Sequence, residues 1–238
     1  MDNGRLLADP LTRLAITTGT DKFGPHNYTP IYHRFFNGLR HADVNLLEIG
    51  IGGYDAPRQG GASLKMWRDY FKKGQIVGID IERKELELGE RISVGIGSQT
   101  DPKFLAEIEE QYGPFDIVID DGSHVNSDVI ESFELIFDKI RSGGLYIIED
   151  TQTAFFQKYG GSREMRSPNS VRYFFELLVA LMSNSSKASN ISGIWRFHNL
   201  IVVQKEGKSA QPAPADVHML PVAEVDDGRL ERALANIE

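Results

Sequence analysis

The sequence predicts an α/β fold: a doubly wound, mostly parallel seven-stranded sheet, with helices ahead of the first strand and an antiparallel hairpin at the C-terminal side. Three observations lead there. Seven short runs rich in Val, Ile and Leu recur along the chain. The middle of the sequence alternates such runs with amphipathic stretches, the pattern of a doubly wound sheet. The first five runs are near-continuously apolar rather than alternating, which suits parallel strands covered on both faces.

Those five are 44–49 (VNLLEI), 75–81 (QIVGIDI), 91–96 (RISVGI), 115–120 (FDIVID) and 145–148 (LYII). Helices are expected at 62–71, 102–112 and 125–140. In the last, Val129, Ile130, Phe133, Ile136, Phe137 and Ile140 recur at three- and four-residue steps and form one apolar stripe. Two more helices, 5–16 and 30–39, precede the first strand, and another, 170–182, follows the fifth. Strands 191–197 and 200–205 then flank a His198-Asn199 turn and make the closing hairpin. From Glu206 the chain turns rich in Ala and Pro, with three basic and seven acidic residues. Residues 1–205 are thus read as one domain, and 206–238 as an acidic tail with a short helix near 228–236.

Composition narrows the chemistry. The 238 residues include no cysteine, which removes thiolate nucleophiles, Cys-ligated zinc, iron–sulfur clusters and disulfides together. The 26 basic and 34 acidic residues give a net charge of −8, with no run of five like charges. A chain serving duplex DNA or anionic lipid would carry the opposite bias, so neither nucleic acid nor membrane is an expected partner. No apolar stretch approaches the ~18 residues of a membrane span, and residues 1–10 lack a basic segment followed by an apolar core. A cytoplasmic location is expected.

The motifs sit where the predicted strands end. Glu48-Ile49-Gly50-Ile51-Gly52-Gly53 follows the first strand, and glycines there let the backbone turn tightly beside a ligand. A dinucleotide site would want Gly-x-Gly-x-x-Gly and would seat a pyrophosphate, which Glu48 would repel. Asp80 ends the second strand, where an acid accepts hydrogen bonds from ribose hydroxyls. The pattern suits a cationic, ribose-bearing ligand; a plain strand-to-helix turn is the alternative. Two acidic clusters end the fourth and fifth strands: Asp120-Asp121-Gly122-Ser123-His124 and Glu149-Asp150. Neighbouring strands lie ~4.8 Å apart, and carboxylates that close repel unless a cation joins them. Oxygen ligands without cysteine favour magnesium, with manganese or calcium as alternatives, over zinc. His124 has the reference pKa, near ~6.5, of a general base at neutral pH. Duller roles exist for each: Asp101 can cap the helix that starts at Pro102, Ser123 or Asp121 the next helix, and Glu149-Asp150 can be a solvated strand end.

The set Glu48, Gly50, Gly52 and Asp80 resembles the class I S-adenosylmethionine-dependent methyltransferases, whose Rossmann-like sheet matches the predicted fold. That cofactor carries a sulfonium and an ammonium but no phosphate, in keeping with the charges. The segments 50–61 (GIGGYDAPRQGG), 116–124 (DIVIDDGSH) and 143–153 (GGLYIIEDTQT) sharpen the likeness. They resemble the magnesium-dependent sugar O-methyltransferases of macrolide biosynthesis, the mycinamicin and tylosin type, over about residues 18–205.

That resemblance implies S-adenosylmethionine and Mg²⁺ as cofactors, Asp121, Glu149 and Asp150 as metal ligands, and His124 as the base. It places Gln99 and Asp101 in the loop that contacts adenine, and Asp120, Tyr28 and Thr29 on the cofactor side. It makes the segment Gly19-Thr20-Asp21-Lys22 … His26-x-Tyr28-Thr29-Pro30 a lid, so that residues 1–43 are N-terminal helices plus lid. The implied acceptor is a small-molecule glycoside, chelated through two vicinal oxygens, and the implied assembly is a homo-oligomer. Some members carry a long extra N-terminal domain for which this sequence has no room. Residues 54–61, 151–161 and 163–168 flank the site, whereas Trp67, Trp195 and Tyr173-Phe174-Phe175 are read as packing. Competing readings are a magnesium-dependent catechol or phenol O-methyltransferase, a nicotinamide-dependent oxidoreductase, and an idle binding protein on the same scaffold.

Overall fold

Residues 9–207 are described by a computed structural model of the chain. Seven strands, β1 (Asn45–Ile49), β2 (Gln75–Asp80), β3 (Ile92–Ile96), β4 (Ile117–Asp120), β5 (Leu145–Ile148), β6 (Ile191–Phe197) and β7 (Leu200–Lys205), form one sheet in the order β3-β2-β1-β4-β5-β7-β6. The first five pair in parallel, while β7 runs antiparallel to both β5 and β6. The predicted doubly wound sheet and its hairpin are therefore both present. The hairpin closes through Asn199 at φ +57°, a left-handed conformation that Asn tolerates well.

The helices are α1 (Pro10–Thr18), α2 (Thr29–Phe36), α3 (Ala62–Tyr70), α4 (Pro102–Tyr112), α5 (Asn126–Ile136) and α6 (Ser170–Met182). α1 begins five residues later than the predicted 5–16. Asp9 accepts from the Leu11 and Thr12 amides and Pro10 sits in the first turn, so the Asp-Pro pair is the start signal the apolar spacing hid. The predicted 125–140 helix is α5 followed by a 3-10 turn, Phe137–Lys139, and 30–39 is likewise α2 followed by a 3-10 turn. The predicted short helix at 228–236, and the whole tail beyond 207, lie outside the described residues.

Strand residues divide by parity between the two faces. Leu46, Ile76, Ile117, Ile119, Ile147 and Val202 pack with the residues of α1, α2 and α3. Leu47, Val77, Val118, Tyr146, Ile148 and Val203 pack with those of α4, α5 and α6. Each such aliphatic side chain contributes roughly 1.5–3 kcal/mol when fully buried. The same parity sends Glu48 to the first face and Asp120 to the second. All the predicted acidic clusters consequently lie at the carboxyl edge of the parallel strands, where doubly wound sheets bind ligands. No helix among the described residues is long and apolar enough to cross a membrane.

Candidate active site

The glycine loop is clamped between its neighbours. Gly50 N donates to Ile79 O at 2.8 Å, and Asp121 N donates to Ile49 O at 2.9 Å. Gly50 has φ +79°, and a Cβ there would stand 2.1 Å from the Asp121 carbonyl oxygen. Only glycine lets the β1 loop lie against the β4 loop this closely. Gly52 is open: an added Cβ would meet one atom, at 4.0 Å. Asp80 tethers the loop, its Oδ2 accepting from Ile51 N at 3.2 Å and its Oδ1 from Glu82 N at 2.9 Å. Each of those oxygens retains a lone pair for a further donor, so a glycine cradle beside a half-buried acid fits the ribose end of a nucleoside cofactor.

Glu48 is fully buried. Its Oε2 accepts from Ser63 Oγ at 2.8 Å and Trp67 Nε1 at 3.1 Å, both on α3. Its Oε1 lies 3.1 Å from Lys22 Nζ. Burial raises the Glu48 pKa, with the Lys22 charge opposing. Its role in the structure is to fix α3 and Lys22 against the end of β1.

Lys22 is the centre of the acidic edge. The side chain is 1% exposed, and Nζ reaches Asp121 Oδ2 at 2.7 Å and Glu149 Oε1 at 2.8 Å besides Glu48. Burial alone would lower the ammonium pKa, but Asp121, Glu149 and Glu48 together overcome it and hold the group charged, well above its ordinary value. Glu149 Oε1 also accepts from Tyr32 OH at 2.5 Å. Both contacts fall on Oε1, which leaves Oε2 without a donor among the described residues. Burial first, and the Asp121 charge second, raise the Glu149 pKa against the pull of Lys22.

The other acids face outward. Asp121, His124 and Asp150 each place one ligand atom within 4.8 Å of the other two. His124 Nε2 stands 3.9 Å from Asp121 Oδ1 and 3.9 Å from Asp150 Oδ2. The remaining oxygen of each carboxylate is already anchored: Asp121 Oδ2 by Lys22, and Asp150 Oδ1 by Tyr28 OH at 2.5 Å. His124 (φ +59°) and Asp150 (φ +50°) both adopt the left-handed backbone region, a strained choice that collects at functional sites. The His124 ring packs edge-on to Tyr159 of the 151–161 loop, centroids 6.0 Å apart. The two free carboxylate oxygens, partly open to solvent, suit a hard divalent cation; the imidazole beside them suits such an ion less well as a ligand.

Other predicted residues take supporting places. Asp120 is buried; its Oδ2 accepts from Tyr146 OH and Ser132 Oγ, and its Oδ1 from Gln99 Nε2 and Gly122 N. Gln99 commits both amide hydrogens, to Asp120 and Ser132, and its Oε1 accepts from Ser123 N. Asp101 caps α4 through the Lys103 and Phe104 amides. Thr29 is sealed against Thr12, hydroxyl to hydroxyl at 2.7 Å. Ser123, not Asp121, supports the start of α5, accepting from Val125 N and donating to Asp128. The segment expected as a lid is tied into the strand ends: Lys22, Tyr28 and Tyr32 are 1%, 3% and 0% exposed. Lys22, Tyr32, Ser132, Tyr146 and Tyr159 are the contributors that the sequence reading did not single out. An excess of acids at adjacent strand ends was the one signal that a buried cation had to be found.

The sheet order, the glycine loop and the acid–histidine group define the Rossmann-like methyltransferase fold. No protein-family model matches the chain. It is 41% identical over 199 residues to demethylmacrocin O-methyltransferase of Streptomyces fradiae, covering 78% of this chain and 50% of that protein. To mycinamicin VI 2''-O-methyltransferase of Micromonospora griseorubida it is 41% identical over 208 residues, covering 82% of this chain and 52% of the relative. Among solved structures, the MycE methyltransferase of the mycinamycin biosynthetic pathway in complex with Mg, SAH and mycinamycin VI superposes with a TM-score of 0.79 at 41% identity, over 86% of this chain and 57% of that one. The similarity to sugar O-methyltransferases expected from the motifs is thus present, and the chain spans about half the length of the curated relatives it matches.

Proposed function

We propose that this chain is an S-adenosylmethionine- and Mg²⁺-dependent O-methyltransferase acting on a sugar hydroxyl of a glycosylated small molecule. The observation that carries the reading is the convergence of Asp121 Oδ1, Asp150 Oδ2 and His124 Nε2 on one point beside the glycine loop. Support also comes from the relatives, which are O-methyltransferases named for glycosylated natural products, and from the Mg and SAH bound by MycE.

Asp121 and Asp150 would hold the metal through their unanchored oxygens; Glu149 lies outside the Asp121–His124–Asp150 group, and its Oε2, which no described donor occupies, would be a further donor. When bound, the cofactor supplies an electrophilic methyl group and the divalent ion supplies charge stabilisation to an adjacent acceptor oxygen. A sugar hydroxyl is a poor nucleophile at neutral pH, and His124 Nε2 receives its proton. The Gly50 loop and the Asp80 tether would fix the donor side; orientation of a bound donor relative to its acceptor supplies much of the barrier reduction. Tyr159 packs edge-on against the His124 ring and would help hold its orientation.

A second reading has its own observation: His124 Nε2 lies close enough to both aspartates to be the third metal ligand. One set of measurements separates the two. As the base, His124→Ala lowers kcat by about 10²–10⁴-fold and leaves the Mg²⁺ dissociation constant unmoved; as a ligand it weakens Mg²⁺ binding as well. The overall function is tested by mass spectrometry of glycosides and catechols incubated with S-adenosylmethionine, with and without EDTA. A glycoside gaining one methyl, and losing that gain on chelation, is the expected result. Methylation confined to catechols would reassign the acceptor, and undiminished turnover after chelation would remove the metal.

A further inference from the structure

The N-terminal segment contributes a cation to the acidic edge that none of the expected roles uses. Lys22 Nζ is fully enclosed and touches three carboxylates from the ends of three neighbouring strands, β1, β4 and β5, at 3.1, 2.7 and 2.8 Å. Its position is fixed by a small closed turn, in which Tyr28 N donates to Lys22 O at 3.0 Å and His26 N to Asp21 O at 3.1 Å. On Asp121 and Glu149 it takes one named oxygen each, Oδ2 and Oε1. The opposite oxygens are the ones directed to the ion in the reading above. We propose that Lys22 is a positioning residue for metal binding: its ammonium orients Asp121 and Glu149 so that their free oxygens are set before the ion arrives. The proposal rests on the metal-dependent reading of this site.

Charge alone argues the other way. A buried ammonium 2.7 Å from a ligand carboxylate repels an incoming divalent cation, so a lysine acting only as a counter-ion would weaken metal binding, and its removal would tighten it. Orientation argues for weaker binding on removal. Asp121 and Glu149 share one clamp, and without it like charge drives the two carboxylates apart and leaves each free to rotate. Outer partners that orient ligands are worth about 10–100-fold in metal affinity. The sign of the change therefore decides between the two roles.

The test is a calorimetric titration of Mg²⁺, and separately Mn²⁺, into the metal-free full chain, with SAH affinity measured alongside. Wild type, Lys22→Met and Asp150→Asn are compared. Lys22→Met is expected to weaken both metals by about 10–100-fold while SAH binding changes little, because the Gly50 loop and its Asp80 tether make no contact with Lys22. Should Lys22→Met fold poorly, the pair Lys22→Met/Glu48→Gln removes one positive and one negative charge together. It leaves the net charge of the cluster as it was, and folding is checked by circular dichroism and melting. A loss of metal affinity in that pair supports orientation, since net charge has not moved. Unchanged or tighter metal binding in either variant overturns the proposal. Wild type that binds neither metal, or binds them as well after Asp150→Asn, overturns the metal reading instead and the Lys22 proposal with it.

Discussion

The inner and outer halves of the acidic edge are held in opposite ways. Inside, Glu48 and Glu149 are buried and gripped by donors from α2, α3 and the segment before α2, Glu149 through Oε1 alone. Outside, Asp121, His124 and Asp150 keep side-chain exposures of 22%, 22% and 19%, and two of the three have left-handed backbones. The outer aspartates belong to both halves, since one oxygen of each is gripped by a buried donor and the other is presented. The contrast teaches that the buried donors set the geometry and leave the open atoms available to a ligand. A carboxylate free at both oxygens would rotate, and the cost of fixing it would fall on ligand binding.

Removing an open atom should have the largest effect. Asp121→Ala is expected to bring turnover to background while SAH still binds, because the glycine loop and Asp80 are untouched; loss of SAH binding in calorimetry would place Asp121 in the inner half instead. Next comes the seam between the β1 and β4 loops. Gly50→Ala forces a Cβ to 2.1 Å from the Asp121 carbonyl at φ +79°, and should cost at least about 2 kcal/mol, several degrees in Tm. A melting temperature equal to wild type would mean that the two loops are not in contact. Smaller again is the loss of one anchor. Tyr28→Phe keeps the stacking on His26, centroids 4.9 Å apart, but leaves Asp150 Oδ1 with only His26 Nδ1, 3.5 Å away; it should weaken Mg²⁺ binding up to about 10-fold and cost about 1 kcal/mol of stability.

Which parts of this were legible in the sequence follows from how far apart the interacting residues lie. The strands were read within a residue or two because continuous Val/Ile/Leu runs are local, and so are the glycines of 50–53 and the Asp-Asp-Gly-Ser-His run. Asp121, His124 and Asp150 could be brought together because strand ends in a parallel sheet share an edge. The inner half could not be read this way. Lys22 meets partners 99 and 127 positions along the chain, and a lysine in a polar loop carries no mark of burial. Glu48 is placed beside a ligand by its position at a strand end and Thr29 by the family resemblance alone; strand parity buries the first, and contact with Thr12 of α1 the second. Asp101 and Gln99 illustrate the opposite case: both have local tasks, a cap and a buried amide network, that short-range reading can name but cannot weigh.

The smallest expected effect probes the inner half by pH. Burial raises the folded pKa of Glu48, with Lys22 opposing. In the unfolded chain the group returns to the ordinary glutamate value of about 4.3. Between those two values the folded protein binds more protons than the unfolded chain, so stability falls as pH rises through that interval and levels off above it. Each unit by which the folded value exceeds the unfolded one is worth about 1.4 kcal/mol, or about 2–4 °C in Tm for a chain of this size. Glu48→Gln keeps an acceptor for Ser63 and Trp67 yet cannot titrate. Melting of the metal-free protein from about pH 4.3 upward should therefore show a shallower decline for Glu48→Gln than for wild type. Parallel curves would mean that Lys22 fully offsets the burial of Glu48, and that Glu48 is ionised across the whole range.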